Sequence, residues 1–82
     1  MSSTELELRK ILAGNLRAYR KAKSLSQEDL ASICNLHRTY IGSVERCERN
    51  VTLGTLCSFA RALDIPVPNL LSLRKDTPIG KE

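Results

Sequence analysis

Helix-capping signals constrain the fold of this chain more than any other feature of its sequence. Thr4 is followed three residues later by Glu7, and Ser26 is followed three residues later by Asp29. At this spacing the hydroxyl oxygen accepts a hydrogen bond from a backbone amide, while the acidic side chain reaches back to the amide of the capping residue. Thr52 is placed to cap a further helix. These signals predict a chain built from short helices.

Apolar residues follow the caps at the spacing that a helix requires. Behind the first cap, the residues predicted to face the core are Leu8, Leu12, Leu16 and Tyr19. Behind Thr52, the corresponding residues are Leu53, Leu56, Cys57, Ala60 and Leu63. Aromatic residues make up only 4% of the sequence, so the core is expected to be aliphatic, which suits helices better than sheets.

Three further helices complete the predicted fold. The second begins at Gln27 and ends near Asn35, since asparagine accepts the left-handed backbone of a tight turn. The third is capped near His37, with Ile41 and Val44 in the core and an outer face made of Arg38, Thr39, Gly42 and Ser43. The segment 65–68 (IPVP) begins the fifth. We therefore predict an all-α, five-helix domain over residues 1–74, followed by a flexible C-terminal tail over residues 75–82.

Composition and charge exclude several classes of protein. No apolar run approaches the length of a membrane span, and the polar start of the chain is unlike a signal peptide, so we expect a cytoplasmic protein. Three cysteines and one histidine do not have the spacing of a metal site, and no cofactor is expected. The sequence offers no nucleophile beside a base and no phosphate-binding glycine loop, which argues against an enzyme. Residues 1–23 carry six basic and two acidic side chains, either as a solvated helix face or as a surface for a polyanion.

The second and third predicted helices, joined by a short turn, have the form of a helix-turn-helix. The motif is carried by residues 26–31 (SQEDLA), 35–41 (NLHRTYI), 45–46 (ER) and 62–66 (ALDIP). With these motifs, residues 10–72 resemble the Cro and phage-repressor family of helix-turn-helix regulators, whose fold is lambda-repressor-like. Residues 37–46 (HRTYIGSVER) are most similar to the controller proteins of bacterial restriction-modification systems.

The resemblance implies a sequence-specific transcriptional regulator that binds double-stranded DNA as a homodimer on a pseudo-palindromic operator, and it suggests autoregulation of a restriction-modification operon. It assigns base contacts to Arg38, Thr39, Tyr40 and Ser43. It assigns phosphate contacts to Gln27, Arg46, Arg49 and Asn50. It also implies a structural ion pair between Arg20 and Glu45.

The chain departs from the family pattern at two positions where glycine is common, Cys47 and Asp64. If the backbone is left-handed there, cysteine costs on the order of 1 kcal/mol and aspartate somewhat less. If the local path differs instead, Arg46, Glu48 and Arg49 are displaced.

The C-terminal part of the domain has more apolar side chains than one short helix can bury. We expect some of them to form a dimer interface, with candidates Ile65, Val67, Leu70, Leu71 and Leu73. An alternative function on the same fold is an antitoxin or a protein-interaction adaptor that holds its partner through this leucine-rich end. A regulator that activates transcription would also need a surface for RNA polymerase, and the sequence does not identify one.

Overall fold

The computed structural model describes residues 2–73, and the regular structure within that range consists of five helices. These helices are α1 (Ser3–Ala22), α2 (Gln27–Cys34), α3 (Arg38–Glu45), α4 (Leu53–Leu63) and α5 (Val67–Leu70). The predicted all-α, five-helix architecture is therefore confirmed. The predicted tail, residues 75–82, lies outside the described residues. No helix in the described range is long and apolar enough to cross a membrane.

The capping residues fix where the helices begin. Ser26 and Asp29 form the predicted capping box, with both hydrogen bonds 2.9 Å long, and the Thr52 hydroxyl accepts a bond from the Thr55 amide at 3.1 Å. The predicted start of α1 at Thr4 is wrong. The Ser2 hydroxyl accepts the amide of Glu5 at 3.0 Å, so the helix begins earlier and gains further backbone hydrogen bonds.

All five helices contribute to the core, and its largest fully buried side chains include Phe59, Leu16, Leu30, Ile41, Leu63 and Leu70. The predicted apolar face of α4 is partly wrong. Phe59 is fully buried, whereas Leu53 is 79% exposed and Cys57 is also exposed. Leu8, predicted in the core face of α1, is 43% exposed, so the buried part of that face begins at Leu12.

Two polar side chains on α1 hold distant parts of the domain together. Arg20 and Glu45, for which the resemblance implied an ion pair, lie 2.7 Å apart between Nε and Oε2, which joins α1 to the end of α3. The side-chain amide of Asn15 donates to the carbonyl oxygens of Asn69, Leu70 and Ser72, which attaches the end of the described chain to α1. Burial of these polar groups is tolerated because each is hydrogen-bonded.

The backbone is left-handed at both positions where glycine is common in the family. Cys47 has φ of 66° and Asp64 has φ of 58°. After α3, the Cys47 amide donates to the Val44 carbonyl and the Glu48 amide donates to the Ser43 carbonyl, the paired bonds that close a helix with a left-handed residue. The first of the two alternatives therefore holds, and the chain keeps this path at some conformational cost.

Candidate nucleic-acid interface

The turn between α2 and α3 sets the direction in which α3 points. Asn35 ends α2 in the left-handed conformation, with φ of 59°, and the Leu36 amide then donates to the Ala31 carbonyl at 2.8 Å. His37 caps α3 directly afterwards. Ile41, on the inner face of α3, is fully buried. The first turn of the helix therefore has its other side on the outside of the domain.

Arg38 and Thr39 occupy that exposed first turn. The Arg38 side chain is 65% exposed, and its guanidinium lies 3.6 Å from the Glu28 carboxylate, which is itself 74% exposed. An ion pair between two exposed side chains is worth about 0–1 kcal/mol, so Arg38 is readily released to another anion. Thr39 is exposed, and its hydroxyl lies 2.6 Å from Nδ1 of His37.

Tyr40 and Arg49 are brought together across the turn that follows α3. The guanidinium carbon of Arg49 lies 5.1 Å from the centre of the Tyr40 ring, within the range of a cation-π interaction. Tyr40 is half-buried and packs against the core, so only part of its ring faces outward. Arg49 is exposed, and the ring beneath it restricts where its charge lies.

The predicted outer face of α3 is wrong at two positions. Ser43 is 8% exposed and its hydroxyl donates to the Tyr40 carbonyl at 2.8 Å, so it is not available to a base. Gly42 is also buried. A Cβ atom at Gly42 would lie 3.1 Å from Nη1 of Arg46 and 3.4 Å from Oε1 of Gln27. The glycine therefore lets these two side chains of the protein itself approach the helix.

The four predicted phosphate-contacting residues surround this helix, and each has a partner within the domain. Gln27 donates to Glu45 Oε1 at 3.0 Å, and Arg46 lies 3.2 Å from Glu48. Asn50 accepts a hydrogen bond from Nε of Arg9 at 3.0 Å. These contacts set the orientation of the side chains. The partner of Arg49 is the Tyr40 ring, which carries no opposite charge.

Arg9 is a contributor to this region that sequence reasoning missed. It joins α1 to the segment after α3, and its guanidinium also lies 3.6 Å from the Glu5 carboxylate. A hydrogen bond from the Asn50 side chain to the Glu5 carboxylate, followed by the charge of Arg9, holds the pKa of Glu5 below its usual value. In the sequence, only the basic excess of residues 1–23 pointed to a role for Arg9. That excess could not show that Arg9 contacts Asn50, which lies 41 residues away.

Comparison with known proteins assigns the chain to a family. Residues 16–70 match the helix-turn-helix family, which covers more than half of the chain. The chain belongs to this helix-turn-helix family.

Several members of the family are closely similar. The control protein C.SmaI of Serratia marcescens is 60% identical over 67 residues, which span 82% of this chain and 80% of the relative. The crystal structure of a hypothetical transcription factor from Neisseria superposes with a TM-score of 0.78, at 43% identity, over 82% of this chain and 75% of the other. The crystal structure of the restriction-modification controller protein C.AhdI from Aeromonas hydrophila superposes with a TM-score of 0.73, at 45% identity, over 76% of this chain and 94% of the other.

In this helix-turn-helix protein, the residues predicted to form a dimer interface differ widely in exposure. Leu70 is fully buried in the core of its own domain, so it cannot contact a second subunit, and its inclusion was wrong. Ile65, Val67 and Leu71 are half-buried against the core, whereas Leu73 is 84% exposed. Among these five side chains, only Leu73, at the end of the described chain, is largely exposed.

The remaining titratable groups do not form a second site in the described range. Residues 2–73 contain no cluster of histidine, cysteine and acidic side chains that could hold a metal ion. The Cys34 thiol is half-buried and lies 3.6 Å from the Ser58 carbonyl oxygen, and this burial raises its pKa. Cys34 is therefore a weakly reactive thiol.

Proposed function

We propose that this protein is the transcriptional controller of a restriction-modification operon and that it reads its operator with the first turn of α3. The chain is a DNA-binding transcriptional regulator of the helix-turn-helix family, and not an enzyme. The similarity to control proteins supports this role and does not support the antitoxin or adaptor alternative. The observation that carries the proposal is the exposure of Arg38 and Thr39 on a helix whose opposite side is fully buried.

The dimensions of α3 suit a major groove. An α-helix with its side chains is about 10–12 Å across, and the major groove of B-form DNA is about 12 Å wide. Arg38 is placed to make a two-pronged hydrogen bond to guanine, and Thr39 offers a hydroxyl and a methyl group to the neighbouring base edge. Tyr40 can approach the bases with the exposed part of its ring. Ser43 has no part in this reading, since its hydroxyl is used inside the domain.

Residues on either side of α3 would fix the position of the protein on the phosphate backbone. Gln27 lies at the first position of α2, where a side-chain amide and free backbone amides favour an anion. Arg46 and Arg49 follow α3 and supply positive charge, while Asn50 lies beside them. Such contacts set the register without reading the sequence.

A homodimer would bring two α3 helices to successive major grooves, about 34 Å apart along one face of the duplex. Leu73 and the half-buried side chains of Ile65, Val67 and Leu71 are the proposed contact between subunits. A pseudo-palindromic operator follows from that symmetry. The proposal places the protein in the cytoplasm with its DNA. Activation would further require a contact with RNA polymerase, which transcription in vitro from an operator-containing promoter would detect.

The test is selection of duplexes from a random-sequence pool, followed by titration of the selected and scrambled duplexes at several salt concentrations. The selected duplex should bind at least about 1,000-fold more tightly than the scrambled one. The logarithm of the binding constant should fall linearly with the logarithm of salt concentration, because phosphate contacts release counterions. Equal affinity for selected and scrambled duplexes would contradict the proposal.

A further inference from the structure

His37 lies next to Arg38 and Thr39, the residues proposed to read bases. It is not itself assigned a DNA contact, and it is not part of the core. His37 caps α3 with Nδ1, which accepts a hydrogen bond from the Thr39 amide at 3.3 Å. The same nitrogen lies 2.6 Å from the Thr39 hydroxyl oxygen. His37 is exposed, and it is the only histidine in the sequence.

We propose that His37 determines the base preference of Thr39, because it controls which hydrogen-bonding group the threonine hydroxyl presents to the duplex. The inference rests on the proposed function, in which Thr39 reaches a base edge. It makes His37 a specificity-determining residue that acts through its neighbour, without itself contacting a base.

The hydrogen bonds at His37 indicate a neutral imidazole. Nδ1 can accept the Thr39 amide only if the ring proton is on Nε2. The hydroxyl hydrogen of Thr39 then also points to Nδ1, which accounts for the 2.6 Å separation. The oxygen lone pairs and the methyl group remain for the DNA. Such a surface suits the amino group of adenine or cytosine, or the methyl group of thymine.

Protonation of His37 would reverse this arrangement. An imidazolium has a hydrogen on both nitrogens, so Nδ1 would donate to the Thr39 oxygen and the hydroxyl hydrogen would be released. Thr39 could then donate to guanine O6 or N7 or to thymine O4. The preference at this position is therefore expected to depend on whether His37 is protonated, and hence on pH.

Two charged side chains lie beside His37. His37 lines an open hollow of about 450 Å³ with Ser32, Leu36 and the charged side chains Glu28 and Arg38. Glu28 and Arg38 pair with each other. An extra charge on His37 would attract every duplex alike, whatever its sequence. The ratio of affinities between base pairs is therefore the informative quantity.

The experiment uses the full chain and a duplex selected from the random pool. The variant Thr39→Ala first identifies the base pair at which discrimination is lost. All four base pairs at that position are then competed against each other at about pH 8 and about pH 5.5. The affinity ratio between amino-bearing and carbonyl-bearing bases should change about 2- to 10-fold, the effect of gaining or losing one hydrogen bond.

The matched control is His37→Asn, because asparagine caps a helix well and does not titrate. In this variant the ratios should be the same at both pH values. A second readout is the ¹⁵N NMR spectrum of the single histidine, which should show the Nε2–H tautomer at about pH 8. The Nδ1–H tautomer, or a pH effect equal for all base pairs, would overturn the inference but not the proposed function. If the unchanged protein shows no sequence-specific binding at either pH, both the inference and the proposed function are overturned.

Discussion

The ion pair between Arg20 and Glu45 is the contact whose loss should most affect the fold. The Arg20 and Glu45 side chains are only 8% and 2% exposed. Glu45 accepts from Nε and Nη2 of Arg20 at 2.7 and 2.9 Å, and from Gln27 at 3.0 Å. Arg20 donates in addition to the Leu25 carbonyl at 2.8 Å. Removing either partner leaves the other charge buried without compensation.

The size of the effect follows from this burial. Breaking a buried ion pair costs about 3–5 kcal/mol, whereas breaking an exposed one costs about 0–1 kcal/mol. Glu45→Gln preserves side-chain size but removes the charge, so it should lower the free energy of unfolding by about 3 kcal/mol, and Arg20→Met should do the same. The double variant Arg20→Met/Glu45→Leu removes both charges. It should lie within about 2 kcal/mol of the unchanged protein, since the hydrogen bonds from Arg20 to Leu25 and from Gln27 to Glu45 are also lost.

The assay is urea unfolding followed by far-ultraviolet circular dichroism, combined as a double-mutant cycle. All variants are compared at one protein concentration, because self-association changes apparent stability. Glu48→Gln is the matched control: it breaks the exposed pair with Arg46 and should change the free energy by less than about 1 kcal/mol. If Glu45→Gln behaves like this control, or if the effects of the single substitutions simply add, the reasoning is wrong.

Three further predictions concern the backbone, the pH dependence and self-association. Cys47→Gly should raise the free energy of unfolding by about 1 kcal/mol in thermal melts, and Asp64→Gly by less, because aspartate tolerates a left-handed backbone better. Hydrogen bonds from the Ser26 amide and then from its hydroxyl lower the pKa of Asp29. The stability that Asp29 contributes is therefore present above about pH 3.9 and is lost as the pH falls through the lowered value; acid titration should show a smaller loss in Asp29→Asn. Leu73→Ser should weaken self-association in sedimentation without changing helix content, and an unchanged dimer would remove this side chain from the interface.

The helix boundaries could be predicted from sequence because caps act locally. Ser26 begins α2 because its hydroxyl accepts a backbone amide, and Asn35 ends α2 because it adopts the left-handed turn. Each residue interacts with backbone only a few residues away. The start of α1 was wrong for a similar reason. Ser2 and Thr4 both have an acidic residue three positions later, and local chemistry alone does not choose between them.

The face that a helix buries was less predictable. Apolar residues surround much of α4, so two overlapping stripes fit its sequence, and the structure follows the one containing Phe59, the bulkier side chain. In α3, Gly42 was expected outside, but Gln27 of α2 and Arg46 at the end of α3 cover it. The contact with Gln27 comes from another helix, which the helical periodicity of α3 does not describe.

The central claim is that the first turn of α3 reads base pairs while its surroundings hold the phosphates. The most direct measurement is the affinity of Arg38→Ala and Arg46→Ala for the selected duplex and for each of its single-base-pair variants, with Arg61→Ala on α4 as a control outside the proposed interface. Arg38→Ala should lose about 1–3 kcal/mol and relax the preference at one base pair, while Arg46→Ala should weaken all duplexes alike and lower the salt slope by about one. An equal loss on every duplex for Arg38→Ala would contradict the account.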